Sequence, residues 1–257
     1  MKLSVIIPAY NDVEGVLTAL NSLRALNMGG YPVEYIVQDD ASPERDLTNL
    51  IPPEIASTQR NENNLGFGGN CNAGAARANG DVLFFVNQDV YGVREWSDYW
   101  ANMLIGGFDE AQVGIVGSRL LFPNASIQNA GGLIDALGQP FHRNLGWSNP
   151  HHPDVMTPCA VTWTTGAALA IRHTLWDRLG GFDPAFPMYW EDVDICLRAR
   201  DLGAVTWYQP ACTLFHRVGS TGGSPSFMAS AKAFHERWVA SGKLKPDVYS
   251  VHEHFWA

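Results

Sequence analysis

Apolar positions along the chain change period several times, and the changes divide it into elements. Leu3 to Pro8 is a short β-branched run, the pattern of a strand buried on both faces. Asn11 and Asp12 then supply cap chemistry, and Val13, Val16, Leu17, Leu20, Leu23 and Leu26 recur at helical spacing up to Gly29-Gly30. Val33 to Val37 predicts the next strand, which ends in Gln38-Asp39-Asp40. A weaker helix, a short strand near Ser57-Thr58 and a helix from about Gly68 to Ala78 follow. Asp81 to Val86 is a fully apolar strand that stops at Asn87-Gln88-Asp89.

This alternation runs to about Gly117 and predicts an α/β fold with a doubly wound, mostly parallel sheet. Ligands of such sheets collect outside the carboxyl ends of the strands. Pro8-Ala9-Tyr10-Asn11, Asp39-Asp40 and Asn87-Gln88-Asp89 are therefore expected on one rim. Beyond Gly117 the pattern changes. Arg119 to Leu137 predicts a hairpin turning at Pro123-Asn124, and Gly138 to Pro158 a loop-rich, partly mobile functional segment. One strand is expected over Thr162 to Ile171, two short ones over Val205 to Tyr208 and Thr213 to His216, and a last helix from about Phe227 to Val239. No internal repeat or linker divides the chain, so a single domain over 1–257 is expected.

Composition narrows the function. With 46% hydrophobic and 17% charged residues the chain can bury an ordinary core. Lys+Arg 17 against Asp+Glu 26 gives a formal charge of -9, which argues against broad nucleic-acid binding. An anionic substrate must then meet local donors, such as a metal ion or a helix N-terminus. Cys71, Cys159, Cys196 and Cys212 form no C-x-x-C pair and read as reduced thiols of a cytoplasmic protein. The start is broken by Pro8 too soon for a signal peptide, and no apolar run reaches the roughly 18 residues of a membrane span.

The densest candidate chemistry is the acidic stretch from Gly180-Gly181-Phe182-Asp183 through Tyr189-Trp190-Glu191-Asp192-Val193-Asp194. Aromatic neighbours strip water from a carboxylate, nearby carboxylates repel its charge, and both effects favour a proton acceptor near neutral pH. Asp192 also stands where an N-cap carboxylate would accept backbone N–H bonds, so base and cap are competing roles for it. Asn87-Gln88-Asp89 can share a divalent cation with a diphosphate, or close a turn. Asp39 and Asp40 can accept the imide N–H of a pyrimidine base, or cap a helix. Gly66-Phe67-Gly68-Gly69 lacks the dinucleotide spacing; it either lets a helix N-terminus approach an anion or serves helix–strand packing. His216, before Arg217-Val218-Gly219-Ser220-Thr221, can be a metal or phosphate ligand or an ordinary strand-end residue, while His151-His152 and His252-x-His254 read as solvated. No G-x-S-x-G elbow or H-E-x-x-H helix is present, which lowers hydrolases of those classes.

Taken in order, these pieces resemble a family-2 glycosyltransferase of the GT-A fold over about residues 3 to 221. The resemblance rests on Val5-Ile6-Ile7-Pro8-Ala9-Tyr10-Asn11, Val37-Gln38-Asp39-Asp40-Ala41-Ser42, Asn64-Leu65-Gly66-Phe67-Gly68-Gly69-Asn70-Cys71-Asn72, Gly80-Asp81 and Phe85-Val86-Asn87-Gln88-Asp89. It continues through Thr165-Gly166-Ala167, Gly180-Gly181-Phe182-Asp183, Tyr189-Trp190-Glu191-Asp192-Val193-Asp194 and His216. What it implies is a nucleotide-sugar-binding half (1–117), a smaller acceptor and catalytic half (118–221) and a C-terminal helical segment (222–257).

The resemblance also implies roles for matching positions. Asp39 matches the acid that reads the base, with Pro8, Ala9, Tyr10, Asn11, Gly68, Asn70, Asn87 and Gln88 around the nucleotide sugar. Asp89 matches the last acid of the family's D-x-D motif, which binds Mg²⁺ or Mn²⁺, and His216 a later ligand of the metal or the diphosphate, with Asn87 departing from the usual first Asp. Asp192 matches the base, Glu191 orients the acceptor, and Trp163, Gly166 and Trp190 lie on the acceptor side, while Asp183 and Asp194 read as structural. The implied reaction inverts configuration, as an acceptor hydroxyl deprotonated by Asp192 displaces the nucleoside diphosphate. Phe122-Pro123-Asn124-Ala125-Ser126-Ile127-Gln128-Asn129-Ala130-Gly131-Gly132 is similar to rhamnosyl- and galactofuranosyltransferases, which favours dTDP-rhamnose over UDP-sugars as donor and a lipid-linked or cell-surface glycan as acceptor. Phe227, Ala231, Phe234 and Trp238, with Lys232, Arg237, Lys243 and Lys245 nearby, form a stripe that either closes the core or rests peripherally on an anionic membrane. A nucleotidyltransferase would carry a basic Gly-rich loop after the first strand, where Ala9-Tyr10-Asn11-Asp12 stands instead; a non-catalytic nucleotide- or glycan-binding module would need no base.

Overall fold

The computed structural model describes residues 1–93, 99–217, 226–244 and 247. Val218 to Thr221, Lys245, His252 and His254, considered above, lie outside the described residues.

The first half follows the hydrophobic pattern: β1 (Leu3–Ala9), α1 (Val13–Arg24), β2 (Val33–Asp39), β3 (Ser57–Arg60), α2 (Gly66–Ala75) and β4 (Val82–Val86). A single 3₁₀ turn, Leu47–Asn49, stands where the weaker helix was expected. The four strands are parallel in the order β4-β1-β2-β3. Every residue of β1 is buried because the strand is covered on both faces. Leu3, Val5 and Ile7 pack with Val16, Ala19, Leu20 and Leu23 of α1, while Ile6 turns to the opposite cluster with Cys71 and Ala75 of α2. Asp12 starts α1 by accepting the Gly15 N–H at 2.8 Å.

The second half adds β5 (Val90–Tyr91), α3 (Trp100–Gly106), β6 (Val113–Leu121), β7 (Ile127–Asn129), β8 (Gly132–Ile134), β9 (Pro140–His142), α4 (Pro153–Met156) and β10 (Cys159–Val161). It ends with β11 (Ala168–Arg172), α5 (His173–Leu179), α6 (Glu191–Asp201), β12 (Val205–His216), α7 (Ser226–Phe234) and a π-helical turn, His235–Val239. The main sheet runs β10-β12-β6-β11-β4-β1-β2-β3, with β5 on β12 and β7 on β6. It is mixed: β11 lies antiparallel between β4 and β6, whereas β6 and β12 are parallel to each other.

Three details differ from the sequence expectation, and a fourth bears on a choice the sequence left open. Thr162 to Ile171 is not one strand; β10 occupies the sheet edge and β11 the interior, and residues 162–167 cross between them. The pair of short strands is one long strand, β12, broken in register between Gln209 and Thr213 around Pro210, which has no N–H to donate. Within 138–158 the chain forms β9 and α4 and is tied down, as the Arg119 guanidinium donates to Pro150 O at 2.6 Å and the Tyr208 hydroxyl to Val155 O at 2.8 Å. The stripe on the last helix is spent on the core: Phe234 and Trp238 are buried in the cluster that holds Val193, Cys196 and Leu197 of α6. Among the described residues no helix is long and apolar enough to cross a membrane.

Candidate active site

The strand directions bring three chain segments to one rim. β11 pairs with β4 so that Ala168 lies opposite Val86, and the Asn87 N–H donates to Ala167 O at 3.0 Å. The turn Thr165-Gly166-Ala167 is thereby held beside the end of β4. The Gly166 N–H in turn donates to Asp192 Oδ2 at 2.9 Å, which fixes the first turn of α6 against that rim. A methyl group added at Gly166 would crowd the Phe67 ring at 3.2 Å and touch Asp192 Cβ at 3.4 Å, so turn and helix lie close together there.

Asp192 is the second residue of α6 and not its cap; the N-cap is Trp190, whose side chain caps nothing. Tyr189 and Trp190 have φ of 68° and 66°. Two successive bulky residues in the left-handed region are unfavourable and persist only where surrounding packing dictates them. That packing is aromatic: Trp190 meets Phe234 at 5.2 Å and Phe227 at 5.5 Å, and Tyr189 meets Phe227 at 5.6 Å, between ring centroids. The C-terminal helix thus holds the entry to α6.

The two adjacent carboxyls have unlike environments. Glu191 is 6% exposed and its Oε2 has no hydrogen-bond partner. Burial, then repulsion from Asp192, raise its pKa well above the ordinary range. Burial raises Asp192 too, but N–H bonds from Gly166 and Val193 and a hydroxyl bond from Thr165 favour its anion. Both carboxyls are thus raised, Glu191 the more strongly, so Asp192, half-buried at the rim, is the one of the pair that ionises more readily. Asp194, 0% exposed, accepts from Arg198 Nε at 2.7 Å, Arg237 at 2.9 Å and Trp238 Nε1 at 2.9 Å. Arg237 also pairs with Asp183 at 2.7 Å. Asp183 and Asp194 bind the last helix to α6.

On the other side of the rim, antiparallel pairing of β5 with β12 sets His216 opposite Val90. Asp89, one residue earlier, consequently has its Oδ1 3.0 Å from His216 Nε2, and His216 Nδ1 lies 2.7 Å from Gln128 Oε1. A ring that donates from Nδ1 to Gln128 turns its Nε2 lone pair toward the carboxylate. Two acceptors at that distance repel unless a proton or a cation lies between them. The nearby Asn87 Oδ1 is buried without a partner. No cluster of three or more His, Cys, Asp or Glu side chains forms a metal cage among the described residues. One carboxylate, one imidazole and an amide oxygen fit a hard divalent cation that takes its remaining ligands from water and phosphate, and do not fit a closed structural zinc site.

The expected nucleotide pocket is partly occupied by its own bonds. Asp39 is buried; Arg60 donates to its Oδ2 at 2.8 Å and both the N–H and hydroxyl of Ser42 reach its Oδ1. Tyr10 is exposed at the rim and its backbone is clamped by Gln88, whose Oε1 accepts from Tyr10 N at 2.7 Å and whose Nε2 donates to Tyr10 O at 3.0 Å. Asn11, with φ 58°, donates its N–H to Ser42 Oγ and leaves a buried Oδ1 unpartnered. Pro8 and Ala9 are buried at the end of β1.

Three expected ligand residues turn out to brace the scaffold. Asn70 is buried and donates to Gln38 O at 2.9 Å while accepting from Asn61. Gly68 packs under Phe182. The N-terminus of α2 already has its anion, because Asp40 accepts the N–H groups of Leu65 at 2.8 Å and Gly66 at 3.0 Å. Gly66 itself has φ 74°, and a Cβ there would meet Pro187 O at 2.6 Å, so the glycines serve packing. Trp163 is likewise core: it is buried and its indole N–H donates to Leu133 O at 3.0 Å, away from the rim. Arg60 escaped the sequence reading, which named Arg237 and Trp238 on the last helix but not their bonds to Asp194. Arg60 had one usable signal, its register opposite Asp39 in a parallel pair.

The strand order and the rim it forms define an α/β architecture seen in other proteins. Two solved structures share it: GalNAc-T7 with UDP, GalNAc and Mn²⁺ (TM-score 0.75, 19% identity, 93% of this chain and 48% of that one), and the mannosyltransferase PcManGT from Pyrobaculum calidifontis with GDP-Man and Mn²⁺ (TM-score 0.62, 16%, 95% and 65%). The fold is GT-A. The model of Glycosyl transferase family 2 matches residues 4–165, and the chain belongs to that family. Among curated relatives, the O-antigen biosynthesis protein RfbC of Myxococcus xanthus is 29% identical over 260 residues, 95% of this chain and 19% of that protein. The N-acetylglucosaminyl-diphospho-decaprenol L-rhamnosyltransferase of Mycobacterium tuberculosis is 33% identical over 99 residues, 37% of this chain and 32% of that enzyme. The chain thus spans a third or less of the length of these two relatives.

Proposed function

We propose that this chain transfers a sugar, with inversion, from a nucleoside diphosphate sugar to a hydroxyl of a glycan or lipid-linked acceptor. One observation carries the reading: the Asp192 carboxyl is held at the strand-end rim by the Gly166 turn, whose next residue is bonded to Asn87. That arrangement puts a base beside the stretch Asn87-Gln88-Asp89. Residues 1–117 supply the donor pocket, with Tyr10, Asn11 and Asp39 at the base and Arg60 setting the orientation of Asp39. Residues 118–221 supply the acceptor side, where Trp190 lines the approach to Asp192 and Glu191, kept protonated, maintains the charge difference between the two carboxyls. The C-terminal segment braces α6.

Asp192 Oδ accepts the proton of the acceptor hydroxyl as the oxygen attacks the anomeric carbon, and a single displacement inverts configuration. Asp89 and His216 would hold Mg²⁺ or Mn²⁺; when bound, such an ion offsets the charge of the departing diphosphate. The similarity to a relative named as an L-rhamnosyltransferase favours dTDP-rhamnose as donor and a lipid-linked or cell-surface glycan as acceptor. UDP-sugars are the competing donors.

Titration calorimetry with UDP, dTDP, GDP and their sugars, with and without Mn²⁺, tests the reading. Mn²⁺-dependent binding of a pyrimidine nucleotide, followed by sugar transfer that is lost in Asp192→Asn, is expected. Binding of none of them overturns it, and binding without transfer or donor hydrolysis reassigns the chain to the non-catalytic modules.

A further inference from the structure

The segment Phe122 to Gly132 is prominent in the sequence, yet none of its residues has a role in the mechanism above. The structure gives one of them an unusual position. In the pairing of β6 with β7, Leu120 lies opposite Asn129 and Leu121 opposite Ile127, so Gln128 is an extra residue, the third on β7 against two on β6. This is a β-bulge, and bulges re-aim a side chain out of the strand's regular alternation. The side chain aimed here is 8% exposed, and its Oε1 lies 2.7 Å from His216 Nδ1. Its Nε2 is buried without a partner. The carboxamide is thus kept in a dry position with the His216 ring as its recorded partner.

We propose that Gln128 is a positioning residue for the cation site, holding the His216 imidazole in the ring orientation and tautomer that present Nε2 beside Asp89. The inference rests on the glycosyltransferase reading of Asp89 and His216 as cation ligands. A histidine ring can turn about its χ2 bond and can carry its proton on either nitrogen; only one of these states offers a ligand lone pair toward Asp89. Gln128 Oε1 accepts the Nδ1 proton and so selects that state. Partners that fix a ligating histidine in this way commonly govern affinity by 10–100-fold. The neighbouring residue is employed similarly: Asn129 Oδ1 lies 3.2 Å from Nδ1 of the half-buried His142, and Asn129 Nδ2 donates to Ser118 O at 3.0 Å. The bulge thus lets two successive residues of β7 each engage a histidine.

Two substitutions separate positioning from simple packing. Gln128→Met fills similar volume, removes the acceptor for Nδ1–H, and discards an amide N–H₂ that has no partner to lose. Gln128→Glu restores an acceptor at the same atom. In the full chain, Mn²⁺ is titrated with and without UDP and dTDP by calorimetry and by the EPR signal of the free ion, and thermal unfolding is measured without metal. Gln128→Met is expected to weaken Mn²⁺ binding about 10–100-fold, Gln128→Glu to stay within about threefold of wild type, and both to melt within about 3 °C of it. A Gln128→Met variant that binds Mn²⁺ as wild type does, while His216→Ala does not, overturns the proposal and leaves the function intact. Wild-type protein that binds neither nucleotide in an Mn²⁺-dependent way overturns the function and the proposal with it. A readout that needs no variant is the ¹⁵N spectrum of His216 in wild-type protein loaded with Mg²⁺ and UDP: a proton on Nδ1 is expected, and a proton on Nε2 refutes the assignment.

Discussion

Replacing Asp194 by asparagine tests how α6 is held. The change is nearly isosteric, so its effect is electrostatic. Asp194 takes three donors: Arg237 and Trp238 at Oδ1, each at 2.9 Å, and Arg198 at Oδ2, at 2.7 Å. An asparagine can keep its one oxygen toward Arg237 and Trp238, and its amide N–H₂ then faces the Arg198 Nε–H. The lost bond is charge-assisted and worth about 1.5–3 kcal/mol. Two guanidinium groups also lose a fully buried counter-charge; breaking such a pair costs about 3–5 kcal/mol where both partners are buried. The Arg198 and Arg237 side chains are 20% and 30% exposed, so water recovers part of that. A net destabilisation of about 2–4 kcal/mol follows, or roughly 5–12 °C in Tm for a chain of this size. Urea unfolding followed by far-UV circular dichroism measures it. A loss below about 0.5 kcal/mol, the range of ordinary surface substitutions, would refute the view that Asp194 ties the last helix to α6.

Three further outcomes are expected. Asp192→Asn should lower turnover by about 10²–10⁴, the usual worth of a positioned base, with donor affinity in calorimetry within a few-fold of wild type; comparable turnover removes Asp192 from the reaction. Glu191 has its folded-state pKa raised above the ordinary 4.5, chiefly by burial and then by Asp192. The folded state holds that proton where the unfolded chain has lost it, so stability falls as pH rises above the ordinary value. Glu191→Gln removes the ionisation, so its stability relative to wild type should rise with pH above about 4.5; a pH-independent difference would contradict this. Arg60→Ala leaves the buried Asp39 carboxylate without its cation; nucleotide affinity should fall about tenfold or more, as when the partner of a buried charged hydrogen bond is removed, and unchanged affinity would separate Asp39 from base recognition.

The strands of the first half were legible because both faces of β1 and β4 are covered, which leaves an unbroken apolar run with polar residues at its end. Asp89, His216 and Asp192 stand out for a similar reason: each is a polar group at the end of a strand or the start of a helix. What the sequence could not show was direction. The antiparallel insertion of β11 decides that Gly166 meets Asp192, and nothing in Thr162 to Ile171 announces where the chain leaves the sheet edge and re-enters it. Partnership was hidden as well. Asp40 reads like a ligand until the N–H groups of Leu65 and Gly66 are seen to use it. Trp163, an aromatic beside a polar turn, is indistinguishable in sequence from an exposed platform, and its burial follows from β8 passing over it. Gln128 needed a bulge that no residue pattern encodes.

Arg237 and Trp238 reach Asp194 from 43 and 44 positions further along the chain. During synthesis the donor half of the sheet can therefore form well before the first turn of α6 is fastened. Until the last helix emerges, Asp194 lacks two of its three donors, and the left-handed Tyr189–Trp190 bend lacks the rings that hold it. A chain cut before α7 is thus expected to form the β4-β1-β2-β3 half of the sheet while Asp192 is still unplaced. The first turn of α6 is set only once Arg237 and Trp238 have been made.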